Sequence, residues 1–140
     1  MPSLIDKDEE TMPVSLNAFR DAYCWTEHVN SILELNLEGI MEIFMSYFNS
    51  DSSFVLTSAE KFLKGIGSLL SPRVIQMLFD LSQMTVIDES VNAEEYDDME
   101  LVEFLEFLVR AAYHQYLGEA RNIGAKLSDL LTDAFTLANL

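Results

Sequence analysis

The sequence predicts an all-α domain, and three observations carry that reading. Apolar residues recur every three or four positions in six separate segments, the period of a helix with one buried face. Sustained alternation of apolar and polar residues is absent; only Phe54-Val55-Leu56 and Thr85-Val86-Ile87 read as short extended pieces. The 140 residues are 49% hydrophobic, enough for one core, although 24 acidic against 8 basic residues leave a net charge of −16.

The elements follow in order. Residues 1–14 carry Asp6, Asp8, Glu9 and Glu10 and read as a flexible acidic arm; residues 15–140 read as a single helical domain. Ser15 can cap a first helix to about residue 34, with Leu16, Phe19, Tyr23, Thr26, Val29, Ile32 and Leu33 on its apolar face. Asn36 can cap a second, Leu37 to Phe48, whose apolar face holds Ile40, Met41, Phe44, Met45 and Phe48. The polar run Asn49-Ser50-Asp51-Ser52-Ser53 ends it. A third begins near Thr57 or Ser58, and Pro72 opens a fourth, because proline suits a first helical turn. Residues 83–98 read as a long loop. A fifth helix spans about 99–117, ending at Gly118, and a sixth spans about 120–137. The sixth, with Ile123, Leu127, Leu130, Leu131 and Ala134 along one side, is expected to fold back over the core. Phe44, Phe48, Phe62, Leu78, Phe104 and Leu108 are expected in that core.

Charge and motifs exclude several functions. Scattered Lys and Arg in an acidic chain argue against nucleic acid and against an anionic membrane surface. The polar N-terminus does not read as a signal peptide, and no window approaches the roughly 18 apolar residues of a membrane span. Cys24, the one cysteine, fits a reducing, cytoplasmic setting; beside Trp25 in an amphipathic helix it reads as core rather than nucleophile. His28 and His114 stand far apart without a cysteine ligand nearby. No phosphate-binding glycine loop, Gly-x-Ser-x-Gly or His-Glu-x-x-His occurs, so the chain is not expected to be an enzyme.

One arrangement carries chemistry. Counting Asn49 as position one, Asn49, Asp51, Ser53, Thr57 and Glu60 fall at one, three, five, nine and twelve of a loop between two helices. Oxygen donors at alternate places can surround a hard cation such as Ca²⁺. Leu56 falls at eight, where a hydrophobic residue joins a paired loop. Thr57-x-x-Glu60 is equally a capping box that satisfies two backbone N–H groups.

This helix–loop–helix resembles the EF-hand superfamily, the calmodulin-like proteins. Met99 to Ala112 resembles the end of a second such loop and its outgoing helix, with Met99 at eight and Glu103 at twelve. The two units lie about 45 residues apart, and the resemblance covers about 37–117. It implies a pair of loops back to back, with additional helices on either side. Both units depart from the family pattern. Phe54 stands where the family has glycine in a left-handed turn, and Lys61 stands where an apolar residue is usual. The second loop, counted from Asn92, has Tyr96 as a poor ligand and Asp97 in place of glycine. The departures imply degenerate calcium loops and no cofactor.

The expectation is a non-catalytic protein–protein interaction module, an adaptor or structural subunit. The resemblance implies an apolar groove that receives an amphipathic or basic partner helix, with Met41, Met45, Phe62, Met77, Phe104, Phe107 and Leu108 lining it. Nine acidic residues and no basic one lie between Asp88 and Glu106, a solvated face or a surface for a basic partner. The segment Lys126-Leu127-Ser128-Asp129-Leu130-Leu131 after the fifth helix is similar to divergent EF-hand proteins of the cytoskeleton and cilia. The alternatives are a calcium sensor or buffer using loop 49–60, and a helical bundle of unrelated function.

Overall fold

The computed structural model describes residues 18–83 and 98–139. Their regular structure is helical throughout: a π-type turn at Arg20–Cys24, then α1 (Glu27–Leu35), α2 (Leu37–Ser46), α3 (Leu56–Gly65), α4 (Pro72–Gln83), α5 (Leu101–Gln115) and α6 (Ile123–Ala138). None of the described helices is long and apolar enough to cross a membrane. The arm 1–14, most of the loop 83–98 and the piece Thr85-Val86-Ile87 lie outside the described residues.

The single first helix expected over 16–34 is divided. The Trp25 N–H donates to the Arg20 carbonyl at 2.8 Å, a five-residue step. Thr26 then turns extended, and its Oγ1 accepts from the Val29 N–H at 3.2 Å. A β-branched residue with a hydroxyl gains more as a cap than inside a helix, which is why the chain breaks there. Asn36 does not cap α2 through its side chain. Its Nδ2 donates backwards to the Ile32 carbonyl at 2.8 Å, so one residue joins α1 to α2. Ser71 Oγ accepts from Val74 N–H ahead of α4, and Asn122 Oδ1 accepts from Ala125 N–H ahead of α6. Gly118 takes a φ of +93° between α5 and α6, a left-handed turn open to glycine at no steric cost.

Phenylalanine rings dominate the core. Phe54 stacks on Phe44 at 5.1 Å and meets Phe104 at 4.9 Å; Phe62 and Phe107 continue the chain of rings from Phe104. Of the expected core, Phe44, Phe62, Leu78, Phe104 and Leu108 are buried. Phe48 is half-buried, edge-on to Phe44. Helix α5 is the central element, touching α4, α6, α2 and the π-type turn.

Helix α6 folds back over this core, burying Leu127, Leu130, Leu131 and Ala134 against α5, α1 and α2. Two glycines let it approach closely. A Cβ on Gly39 of α2 would stand 3.0 Å from the Phe135 ring, and one on Gly124 of α6 would stand 2.2 Å from His28. The turn into α6 is held by Arg121, which pairs with Glu119 and Asp129 and lies over the Tyr116 ring.

Candidate functional site

The segment between α2 and α3 is closed on itself by short-range hydrogen bonds. Asn49 Oδ1 accepts from the N–H groups of Asp51 at 2.9 Å and Ser53 at 3.0 Å. The Asn49 N–H donates to the Ser53 carbonyl at 2.8 Å, and Ser52 takes a φ of +62°. The next residue, Phe54, forms an antiparallel bridge with Met99; the Met99 N–H donates to the Phe54 carbonyl at 2.8 Å. Ser53 Oγ donates to Asp98 Oδ2 at 3.2 Å beside it. Buried Gln83 Nε2 donates to the Asp98 carbonyl at 2.7 Å, tying the end of α4 to the start of α5.

Beyond the bridge the two segments follow the same plan, 45 positions apart. The Val55 N–H donates to Ser58 Oγ at 3.1 Å, and the Glu100 N–H donates to Glu103 Oε1 at 2.8 Å. Each outgoing helix therefore starts one residue after its cap. Phe62 and Leu63 of α3 correspond to Phe107 and Leu108 of α5, and all four are buried.

This geometry corrects the register read from the sequence. Met99 pairs with Phe54, not with Leu56, which is instead the first residue of α3. Phe54 does not occupy the left-handed turn; Ser52 does, and Phe54 is buried among rings. A serine tolerates the left-handed region at about 1 kcal/mol, whereas the large ring repays burial. The box Thr57-x-x-Glu60 does not cap α3, because Val55 and Ser58 hold that place.

The proposed metal ligands divide accordingly. Asn49, Asp51 and Ser53 share the closed turn, with Asn49 Oδ1 already accepting two backbone N–H groups. Thr57 and Glu60 lie past the cap, within α3. Among the described residues no three His, Cys, Asp or Glu side chains gather as a group able to hold a metal. The turn itself carries one carboxylate, Asp51, and a second, Asp98, stands beside it through Ser53 Oγ. Asn92, Glu94, Tyr96 and Asp97 of the second loop lie outside the described residues.

The seven residues expected to line a groove do not form one surface. Phe62, Phe104, Phe107 and Leu108 are core, whereas Met41, Met45 and Met77 are exposed. Phe62 of α3 meets Phe104 of α5 edge-on at 5.7 Å, so these rings face each other within the fold.

A buried polar cluster was missed. Glu106 accepts from Arg20 Nε at 2.9 Å and from Arg110 Nε at 2.8 Å, and all three residues are buried. The Arg110 guanidinium lies 4.4 Å from the centre of the Phe19 ring, and Arg20 also donates to the Leu81 carbonyl. The spacing of Glu106 and Arg110, four apart on a helix, shows that they can pair but not that they are buried, and nothing in the spacing points to the distant Arg20. Cys24 sits in the same region. Burial first, and then the Glu106 carboxylate, push its thiol up to about 12 against the opposing pull of Arg110 and Arg20. It stays protonated at neutral pH and is no nucleophile.

Compared with family models, with curated proteins and with solved structures, the chain matches none.

Proposed function

We propose that the chain is a non-catalytic protein–protein interaction module built on a divergent, EF-hand-like pair of helix–loop–helix units. The observation that carries the reading is the joined pair of segments: one backbone bridge, Phe54 to Met99, with matching caps 45 positions apart on either side. That repeat is what a duplicated helix–loop–helix leaves when its loops retain a structural task. The oxygens near the first loop serve backbone N–H groups, which favours a structural loop over a calcium sensor. Burial holds the Cys24 thiol protonated, which agrees with a non-catalytic reading. The surplus of carboxylates suits a basic partner and faster capture of one.

Calcium decides between this reading and a calcium-binding one. Calorimetry in chelator-treated buffer should show no heat at micromolar Ca²⁺, and the melting temperature should be the same with EDTA or with Ca²⁺. A rise of tens of degrees, abolished by Glu60→Gln, would mean tight binding to the native state and overturn the reading.

A further inference from the structure

We infer that the outward face of α2 is a docking surface for a basic amphipathic helix of a partner protein. The inference rests on the interaction-module reading and gives it a place on the fold. Helix α2 turns Ile40, Ile43 and Phe44 inward and Gly39 against the Phe135 ring of α6. The opposite side carries Glu38, Met41, Glu42 and Met45, all exposed and spaced i, i+3, i+4, i+7. These four form one ridge about 10 Å long, since a helix rises 1.5 Å per residue. Glu34 and Leu35, at the end of α1 before the one-residue junction, are exposed as well; Leu35 is 85% exposed and Met45 51%.

Met41 and Met45, four apart, are neighbours on the ridge, so their exposed apolar surface is joined rather than scattered singly. Methionine adapts its shape to an incoming anchor, and a straight ridge of helical residues fits the groove of a second helix.

Charge selects the occupant. From Asp21 to Glu60 the chain has seven carboxylates and neither Lys nor Arg. A second copy would bring Glu38 and Glu42 against their like. The chain's own N-terminal arm, with Asp6, Asp8, Glu9 and Glu10 against Lys7, carries the same sign. Phosphate-rich surfaces are repelled for the same reason. A helix with apolar anchors at i and i+4, flanked by Lys or Arg, satisfies both the methionines and the glutamates. The exposed apolar residues of the α3–α4 stretch, Leu69 and Met77, lie instead on a part of the chain that holds Lys61, Lys64 and Arg73.

The test uses the full chain, labelled with ¹⁵N, and an 18-residue synthetic Leu/Lys peptide of helical pattern. Amide shifts should move at residues 34–45. The calorimetric affinity should be micromolar, fall as salt rises, and drop by roughly tenfold or more in Met41→Gln/Met45→Gln, which removes apolar surface without adding charge. Met77→Gln should leave it unchanged. These positions are exposed, so each variant should keep its melting temperature. Glu38→Lys/Glu42→Lys should lose the Leu/Lys peptide and gain the Leu/Glu version, an outcome that a merely sticky surface would not produce. No binding below about 100 µM, a value near the weak limit of specific recognition, would overturn the inference, as would a dimer joined through α2. Shifts confined to another face would remove this site and leave the interaction-module reading standing.

Discussion

Helices α3 and α5 follow equivalent caps, yet they end in opposite environments. The pairs Val55/Ser58 and Glu100/Glu103 make the same hydrogen bond, and Leu56 and Leu101 open the two helices alike. Further along, Ala59 corresponds to Phe104, exposed Lys61 to buried Glu106, and exposed Gly65 to buried Arg110. Helix α5 is buried without interruption from Glu106 to Ala112, because α4, α6, α2 and the π-type turn surround it. Helix α3 has its main packing against α4 and keeps a wet side. A repeated loop therefore does not dictate a repeated helix. What the neighbours cover decides which residues the helix can carry.

The largest effect should come from the ring that has no counterpart. Phe104 is fully buried among Phe44, Phe54, Phe62 and Phe107, and Phe104→Ala should cost about 3–5 kcal/mol in urea unfolding. Ala59 takes the same place in α3 as a small residue, so Ala59→Gly should cost only about 1 kcal/mol through helix propensity. Equal losses would dissolve the contrast between the two helices.

Next is the pair Glu106 and Lys61. Glu106→Gln removes the buried carboxylate that pairs with both Arg20 and Arg110, at a cost of about 3–5 kcal/mol. Exposed Lys61→Gln should change stability by less than about 0.5 kcal/mol. The same Glu106 variant removes a carboxylate that raises the Cys24 thiol while leaving the two arginines that lower it. Cys24 in the refolded variant should titrate lower than in the parent and react faster with a thiol reagent at pH 8. An unchanged thiol would mean that burial alone sets its acidity.

These residues also mark how far the sequence could be read. The helices from α2 onward are legible from apolar spacing, and so is the return of α6 onto the core, because periodicity reports one buried stripe directly. The burial of Glu106 and Arg110 is not, since a charged pair four apart on a helix looks the same in water and in a core. The loop register failed by two residues for a related reason. Oxygen donors occur at both 49 and 51, and at both 58 and 60, so spacing alone could not choose between them. The choice was made by Phe54, whose ring is worth roughly 1.5–3 kcal/mol when buried. The break at Thr26 was hidden because threonine fits the apolar stripe as well as a cap.

The cap itself should give a smaller effect. Ser58→Ala leaves the half-buried Val55 N–H without its acceptor and should cost about 1 kcal/mol. Glu103→Gln keeps an acceptor for the Glu100 N–H and should lose only a few tenths. If Ser58→Ala were silent, the equivalence of the two caps would be geometric without being energetic.

The smallest effect concerns the last turn of α5. His114 corresponds by the same spacing to Leu69, which is almost fully exposed, whereas His114 is half-buried and near Arg110. Burial, and then the Arg110 charge, lower its pKa below the usual histidine value. The sign follows from proton linkage. The native state holds this proton less tightly than the unfolded chain, whose histidine titrates near 6.5. The neutral imidazole's contribution is therefore complete above about pH 6.5 and is lost as pH falls below it, because acid then favours the unfolded state. His114→Gln removes the titration but keeps polarity and approximate size. Urea midpoints compared between pH 8 and pH 5.5 should fall more for the parent than for this variant. Carboxylates titrate in both proteins and cancel in the difference. A variant with the same pH slope as the parent would show that the end of α5 is as open to water as Leu69, and the contrast between the two segments would stop short of His114.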